Sequence, residues 1–248
     1  MPLHVGTSGW QYRDWRGVLY PDGVPQAAWL EHFATEFATV EVNNAFYRLP
    51  ARTVFEHWRD QTPPGFVMAV KVSRYLTHVR RLGDPAEPVG RLVERAAGLG
   101  DRLGPYLLQL PPTLRGDADR LDACLRAFPR GARVAVEPRH ESWWTDEVRT
   151  VLERRSAALC WADRRGHPVT PLWATAPWGY LRLHEGTASP RPSYGRTALS
   201  TWLDRITAAW PAAHHDVYVY FNNDAGGAAV RNARTLRRLA ANRDLPAP

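Results

Sequence analysis

The chain has 248 residues, a formal net charge of +7, and 44% hydrophobic against 23% charged side chains. That balance is expected of a soluble globular protein, and no apolar run approaches the ~18 residues needed to cross a bilayer. Two cysteines far apart in sequence, Cys124 and Cys160, fit reduced buried thiols rather than a disulfide framework or a thiolate metal cluster. The N-terminus lacks a basic segment followed by a long apolar stretch, so the cytoplasm is the expected compartment and no membrane partner is expected.

β-like runs are predicted at 3–7, 39–44, 66–72, 105–110, 133–138, 157–162, 179–184 and 216–223. Between them, helical periodicity fits 26–37, 51–60, 87–99, 118–128, 145–154, 198–210 and 227–242, with Pro and Gly clusters at the joins. Such alternation implies parallel strands with crossover helices, and eight units in 248 residues match a closed (β/α)8 TIM-type barrel. An open doubly wound sheet is the alternative. The sixth connection, 163–178, is rich in Pro and Trp and shows no helical pattern, which predicts an irregular sixth βα unit. With no composition break and no repeat, 1–248 reads as one domain.

Of the 32 Lys and Arg residues, Lys71 is the only lysine, and it ends the apolar run Phe66-Val67-Met68-Ala69-Val70. An amine differs from a guanidinium in size, in hydration and in the ability to lose its proton near neutral pH, so Lys71 is a candidate for chemistry. Strands of a parallel barrel should be nearly continuous apolar runs, and polar residues within them need partners or a site. Here the polar residues collect at C-terminal strand ends. A period of two puts Glu41 with Asn43, Glu137 with Arg139, Arg182 with His184, and Tyr218 and Tyr220 with Asn222. Lys71, Gln109 and Asp163 end three more strands. In a barrel these groups converge on the mouth that carries active sites. The bland alternative is a satisfied ion-pair network that only fixes strand register. Trp10, Tyr12, Trp15, Phe46, Tyr47, Trp143 and Trp144 follow strands and could wall a pocket or pack in the core.

Across nearly the whole chain the motifs resemble the DUF72, or YecE-like, proteins. The matching stretches begin with Gly6-Thr7-Ser8-Gly9-Trp10, Val40-Glu41-Val42-Asn43-Asn44-Ala45-Phe46-Tyr47, and Lys71-Val72-Ser73 leading to Thr77-His78. Gln109-Leu110-Pro111-Pro112, Glu137-Pro138-Arg139, Tyr180-Leu181-Arg182-Leu183-His184 and Tyr220-Phe221-Asn222-Asn223 continue the pattern. The resemblance implies a barrel and a polar pocket at its C-terminal mouth, without an established reaction. Two departures stand out: Glu185 precedes Gly186, and Asp224 occupies a position where the family often has His.

No residue spacing calls for a zinc site, and Gly6-Thr7-Ser8-Gly9 only loosely resembles a phosphate cradle, so neither metal nor cofactor is expected. The remaining set suits acid–base work on a polar, phosphate- or sugar-bearing small molecule, by hydrolysis, isomerisation or lyase chemistry. Glu137 is expected as base or nucleophile with Glu41 as its partner, and His184 as proton carrier. Lys71 is expected as an electrophile or, with a lowered pKa, a Schiff-base former. An ammonium paired with two carboxylates should stay charged, which favours the electrostatic role. Arg139 and Arg182 are expected to hold an anion, while Asn43, Gln109 and Asn222, with Tyr47, Trp143 and Asn223, would bind and orient the ligand. A non-catalytic module for nucleic acid or an anionic metabolite is the second class, motivated by the arginine excess. The scattered pairs Arg80-Arg81, Arg154-Arg155, Arg164-Arg165 and Arg237-Arg238 favour a solvated surface over a nucleic-acid footprint. A partner-interaction scaffold is the third class, and no interface is singled out for it.

Overall fold

Uninterrupted Val, Leu, Tyr and Phe make the strands, because side chains on both faces of a parallel strand must be apolar enough to bury. The computed structural model describes residues 1–189 and 192–247. Its first half runs β1 (Leu3–Ser8), α1 (Trp29–Ala34), β2 (Thr39–Val42), α2 (Asn44–Tyr47), α3 (Arg52–Asp60), β3 (Val67–Lys71), α4 (Ala86–Ala96) and β4 (Leu103–Gln109). There follow α5 (Ala118–Arg126), β5 (Val134–Glu137), α6 (Asp146–Arg154), β6 (Ala158–Leu159), β7 (Trp161–Arg164) and β8 (His167–Pro168). The chain closes with β9 (Gly179–Leu183), α7 (Arg196–Ala209), β10 (Val217–Phe221) and α8 (Ala228–Ala241). No helix among the described residues is long and apolar enough to cross a membrane.

The strand order β6-β5-β4-β3-β2-β1-β10-β9-β7-β8 is parallel except for the β7–β8 hairpin. Its two ends meet through one chain path. The expected strand at 157–162 is divided at Cys160: β6 pairs with β5 at Ala135 and Val136, and β7 pairs with β9 from Trp161 to Asp163. That handover closes a (β/α)8 barrel. The split has a local cause in hydroxyl side chains that take hydrogen bonds otherwise made by a neighbouring strand. Leu159 N donates to Thr175 Oγ1 at 2.9 Å, and Ala162 N donates to Thr170 Oγ1 at 3.0 Å. Both threonines lie in the connection after β8, which contains no helix, so the irregular sixth unit is as predicted. Short elements escaped the periodic pattern, among them α2, β8 and a π-helical turn at Tyr75–Val79. Each is too brief to show a periodic spacing.

Large and small side chains alternate around the barrel axis. Tyr180, Tyr218 and Tyr220 on β9 and β10 fill the interior against Ala69, Ala135, Ala158 and Cys160, and Tyr220 Oη meets Thr39 Oγ1 at 2.7 Å. The opposite, N-terminal end is sealed by a paired cluster. Arg133 Nη1 donates to Asp216 Oδ2 at 2.7 Å and to Tyr218 Oη at 2.8 Å, while His4 stacks on Tyr218 with ring centroids 4.7 Å apart. Such a seal at the N-terminal face serves stability and leaves the C-terminal mouth for function.

Gly6 shows how tightly β1 approaches β2: a Cβ there would lie 2.1 Å from the Thr39 carbonyl oxygen. Gly6→Ala should therefore cost about 3 kcal/mol through forced displacement of the strand. Urea unfolding checks this, and a loss below about 0.5 kcal/mol would contradict the packing of the two strands.

Candidate active site

Period-two alternation carries Glu41, Lys71, Gln109, Glu137, Arg182, His184 and Asn222 to the C-terminal mouth, as expected, and Ser8, which the expected set omitted, joins them. At its centre lies Arg182, 1% exposed, between two buried carboxylates. Its Nη2 donates to Glu41 Oε1 and its Nη1 to Glu137 Oε2, both at 2.8 Å. Glu41 also accepts from Ser8 Oγ at 2.9 Å and from Tyr180 Oη at 2.6 Å. Glu137 accepts from Gln109 Nε2 at 2.7 Å and Arg139 Nη2 at 3.1 Å, and pairs with His184 Nε2 at 2.9 Å. Burial alone would raise the Glu137 carboxyl. The positive charge of Arg182, followed by His184 and Arg139, outweighs that effect and holds it well below the usual range.

These bonds reassign several expected roles. Four donors saturate the Glu137 oxygens, and a carboxylate held so strongly ionised is a weak base, so the expected base or nucleophile is better described as a fixed counter-ion. Both terminal nitrogens of Arg182 are taken, and its buried Nε has no partner, so Arg182 cannot grip a ligand anion as expected. His184 is engaged at both ring nitrogens, by Glu137 and by Asn222 Nδ2 at 2.9 Å to Nδ1. That ring positions its neighbours and has no nitrogen left to carry a proton for a ligand.

Lys71 departs furthest from expectation. Arg182 occupies both carboxylates, and among the described residues no carboxylate lies within salt-bridge distance of the Lys71 amine. Its Nζ stands 4.2 Å over the centre of the Phe46 ring. Burial, then the like charge of Arg182, lowers the amine to about 8 against the opposing pull of Glu41 and Glu137. Cation–π attraction to Phe46 in this desolvated setting favours the ammonium by about 2 kcal/mol, about 1.5 pKa units, which opposes the shift without reversing its direction. The other face of this subsite is His78, whose ring meets Phe46 edge-on at 5.1 Å and whose pKa is lowered by burial and by Arg74, Lys71 and Arg139.

A cleft of about 790 Å³ opens beside the network, with Arg139, His140, Trp144, His184, Asn222 and Asp224 in its wall. Lys71 is not part of that wall; of the four groups whose charges reach Lys71, Glu137 and Arg139 line it. Asn43 follows β2 at the start of α2, with its Oδ1 buried and unpartnered among the described residues. Asn223 is buried and ties the mouth loops, donating to the Pro192 carbonyl at 2.7 Å and to Asn232 at 2.9 Å. Tyr47 is 78% exposed. Trp143, expected at the ligand, is instead fully buried in the core with its Nε1 on the Leu114 carbonyl at 2.8 Å, and its neighbour Trp144 faces the cleft. Among the described residues no group of three or more His, Cys, Asp or Glu is arranged to hold a metal ion.

Asp224 is the residue that the site expectation omitted. Its Oδ1 is buried without a hydrogen-bond partner. The adjacent Tyr12 hydroxyl gives its only proton to the Ser8 carbonyl at 2.6 Å, so its help to the carboxylate falls short of the cost of burial. Desolvation therefore pushes the Asp224 carboxyl up to about 7, with Tyr12 and Arg182 opposing and the Glu41 and Asp14 charges assisting. The signal in the sequence was its place directly after Asn222-Asn223.

The fold and this mouth define a parallel (β/α)8 barrel with an ionisable C-terminal site. The chain belongs to the DUF72 family, described as "Protein of unknown function DUF72", which matches residues 4–248. UPF0759 protein YecE of Escherichia coli (strain K12) is 29% identical over 143 residues, or 57% of this chain and 50% of YecE, so the match spans about half the length of that relative. UPF0759 protein YunF of Bacillus subtilis is 22% identical, with 96% of this chain and 94% of YunF covered. A solved DUF72 family protein from Thermotoga maritima superposes with a TM-score of 0.84 at 26% identity, covering 97% of this chain and all of that one.

A carboxyl raised on folding binds more protons in the folded than in the unfolded chain between pH about 4 and 7, so it makes stability fall as pH rises through that window. Asp163, pushed up to about 6 by burial despite hydrogen bonds from Tyr194 and Trp202 that favour its charged form, acts in the same direction. Asp224→Asn should flatten this decline and stabilise the fold at pH 8 by about 2 kcal/mol relative to pH 5. Urea unfolding at the two pH values measures it; an equal change at both would contradict the buried, raised carboxyl.

Proposed function

We propose that the protein is a cytoplasmic enzyme that acts on a polar, anionic small molecule at the C-terminal mouth by acid–base or nucleophilic chemistry. The observation that carries this reading is the unpaired Lys71 amine, held near neutral pKa beside a closed Glu41–Arg182–Glu137 network. A network built only for strand register would have used the sole lysine as one more counter-charge or dispensed with it.

Charge selects the ligand. Arg182 and Arg139 balance Glu41 and Glu137, so protonated Lys71 leaves the mouth with an excess positive charge. Arg139, half-exposed on the cleft wall and tied to Glu137 through one nitrogen, keeps donors free for a phosphate or carboxylate. Asp224 offers a neutral carboxylic acid near pH 7, suited to protonating a ligand oxygen. Asn222 and Trp144 supply a polar edge and a flat apolar face suited to a sugar-like body.

The test is thermal unfolding against a panel of phosphorylated and carboxylated small molecules and inorganic phosphate. A bound anion at about 100 times its Kd should add about 2.7 kcal/mol of stability. Arg139→Met should remove that gain measured against the variant's own unliganded melting temperature, which the loss of one donor to Glu137 lowers modestly. A flat response across the panel, or a gain unaffected by Arg139→Met, would contradict the assignment.

A further inference from the structure

Resting on this active-site reading, we propose that Lys71 forms a covalent imine with the carbonyl carbon of an anionic aldehyde or ketone whose charge is held by Arg139. The geometry has three parts. First, the amine is unpaired: both carboxylates that could have bound it are occupied by Arg182, and no hydrogen bond to Nζ is formed among the described residues. Second, Lys71 is only 9% exposed, yet its Nζ is not among the fully occluded polar atoms, so it combines a desolvated stem with an accessible tip. Third, Arg139 lines the cleft, is tied to Glu137 and acts on Lys71 through its charge, so an anion-binding group and the amine belong to one mouth.

Burial and neighbouring positive charge are the environment that activates an amine as a nucleophile. With its pKa lowered from 10.5 to about 8, Lys71 holds roughly 300-fold more free amine at pH 7 than an ordinary lysine. The step balances within the two reactants. The amine lone pair forms the C–N bond, the carbonyl π pair moves to oxygen, and both amine hydrogens leave with that oxygen as one water. No oxidant, reductant or metal is required.

The sequence makes the experiment unusually clean, because Lys71 and the α-amine of Met1 are the only primary amines of the chain. The intact protein is incubated at pH 7 with pyridoxal 5′-phosphate as an anionic aldehyde probe, reduced with sodium borohydride and mapped by peptide mass. The expected result is one adduct on Lys71, formed at least about tenfold faster than on Nα-acetyl-lysine, slowed by inorganic phosphate and by Arg139→Met, and absent from Lys71→Arg. An adduct on Met1 alone, or a Lys71 adduct formed no faster than on the free amino acid, overturns the proposal. Phosphate-induced thermal stabilisation, measured on the same sample, separates the two readings. If stabilisation persists without fast adduct formation, the imine fails and the anion site stands; if both are missing, both fail.

Discussion

Everything at the C-terminal mouth depends on one guanidinium, Arg182, buried between Glu41 and Glu137. Removing three such ions from water costs several kcal/mol each, and mutual attraction offsets that only when the remaining lone pairs are also satisfied. The barrel meets this condition by drawing donors from β1, β4 and β9 and from the turn after β5. Ser8 and Tyr180 complete Glu41, and Gln109, Arg139 and His184 complete Glu137. Because the carboxylates and their donors come from β1, β2, β4, β5 and β9, the network also fixes the register of these strands relative to one another. A one-residue slip of β9 would turn Arg182 out of the barrel and leave both carboxylates buried without a counter-charge.

The completeness of that network explains the two groups left out of it. Lys71 has lost its natural counter-ions to Arg182, and Asp224 has a hydroxyl neighbour whose proton is already donated elsewhere. Desolvation then acts with little opposition and moves an amine down to about 8 and a carboxyl up to about 7. Opposite shifts of this kind bring both groups into the range where each exchanges its proton near neutral pH. The N-terminal end shows the contrast. There the Asp216 carboxylate is paired with Arg133 and His4, burial is offset by those partners, and the cluster serves to close the barrel.

The fold was legible in the sequence because buried parallel strands leave a strong apolar signature, and any polar residue within them is conspicuous. The same logic brought Glu41, Lys71, Glu137, Arg182 and His184 to one mouth. Pairing was not legible. A period of two assigns a side chain to a face, but which cation takes which carboxylate depends on side-chain length and depth around a closed ring, and only Arg182 reaches both. The break at Cys160 was hidden for a related reason: it depends on Thr170 and Thr175 returning from a connection without periodicity. Trp143 and Trp144 follow a strand on adjacent positions, and sequence alone could not say which would turn into the core. Asp224 lay just beyond a strand end, where alternation no longer governs orientation.

The central claim, that Arg182 occupies both carboxylates and leaves Lys71 as an unpaired amine, can be measured on one nucleus. Protein grown with lysine labelled at Cε gives a single lysine resonance, since the chain has one lysine, and its shift can be followed against pH. The structure predicts an inflection at about 8. An inflection at or above the ordinary lysine value would show the amine paired with Glu41 or Glu137 and would contradict the account.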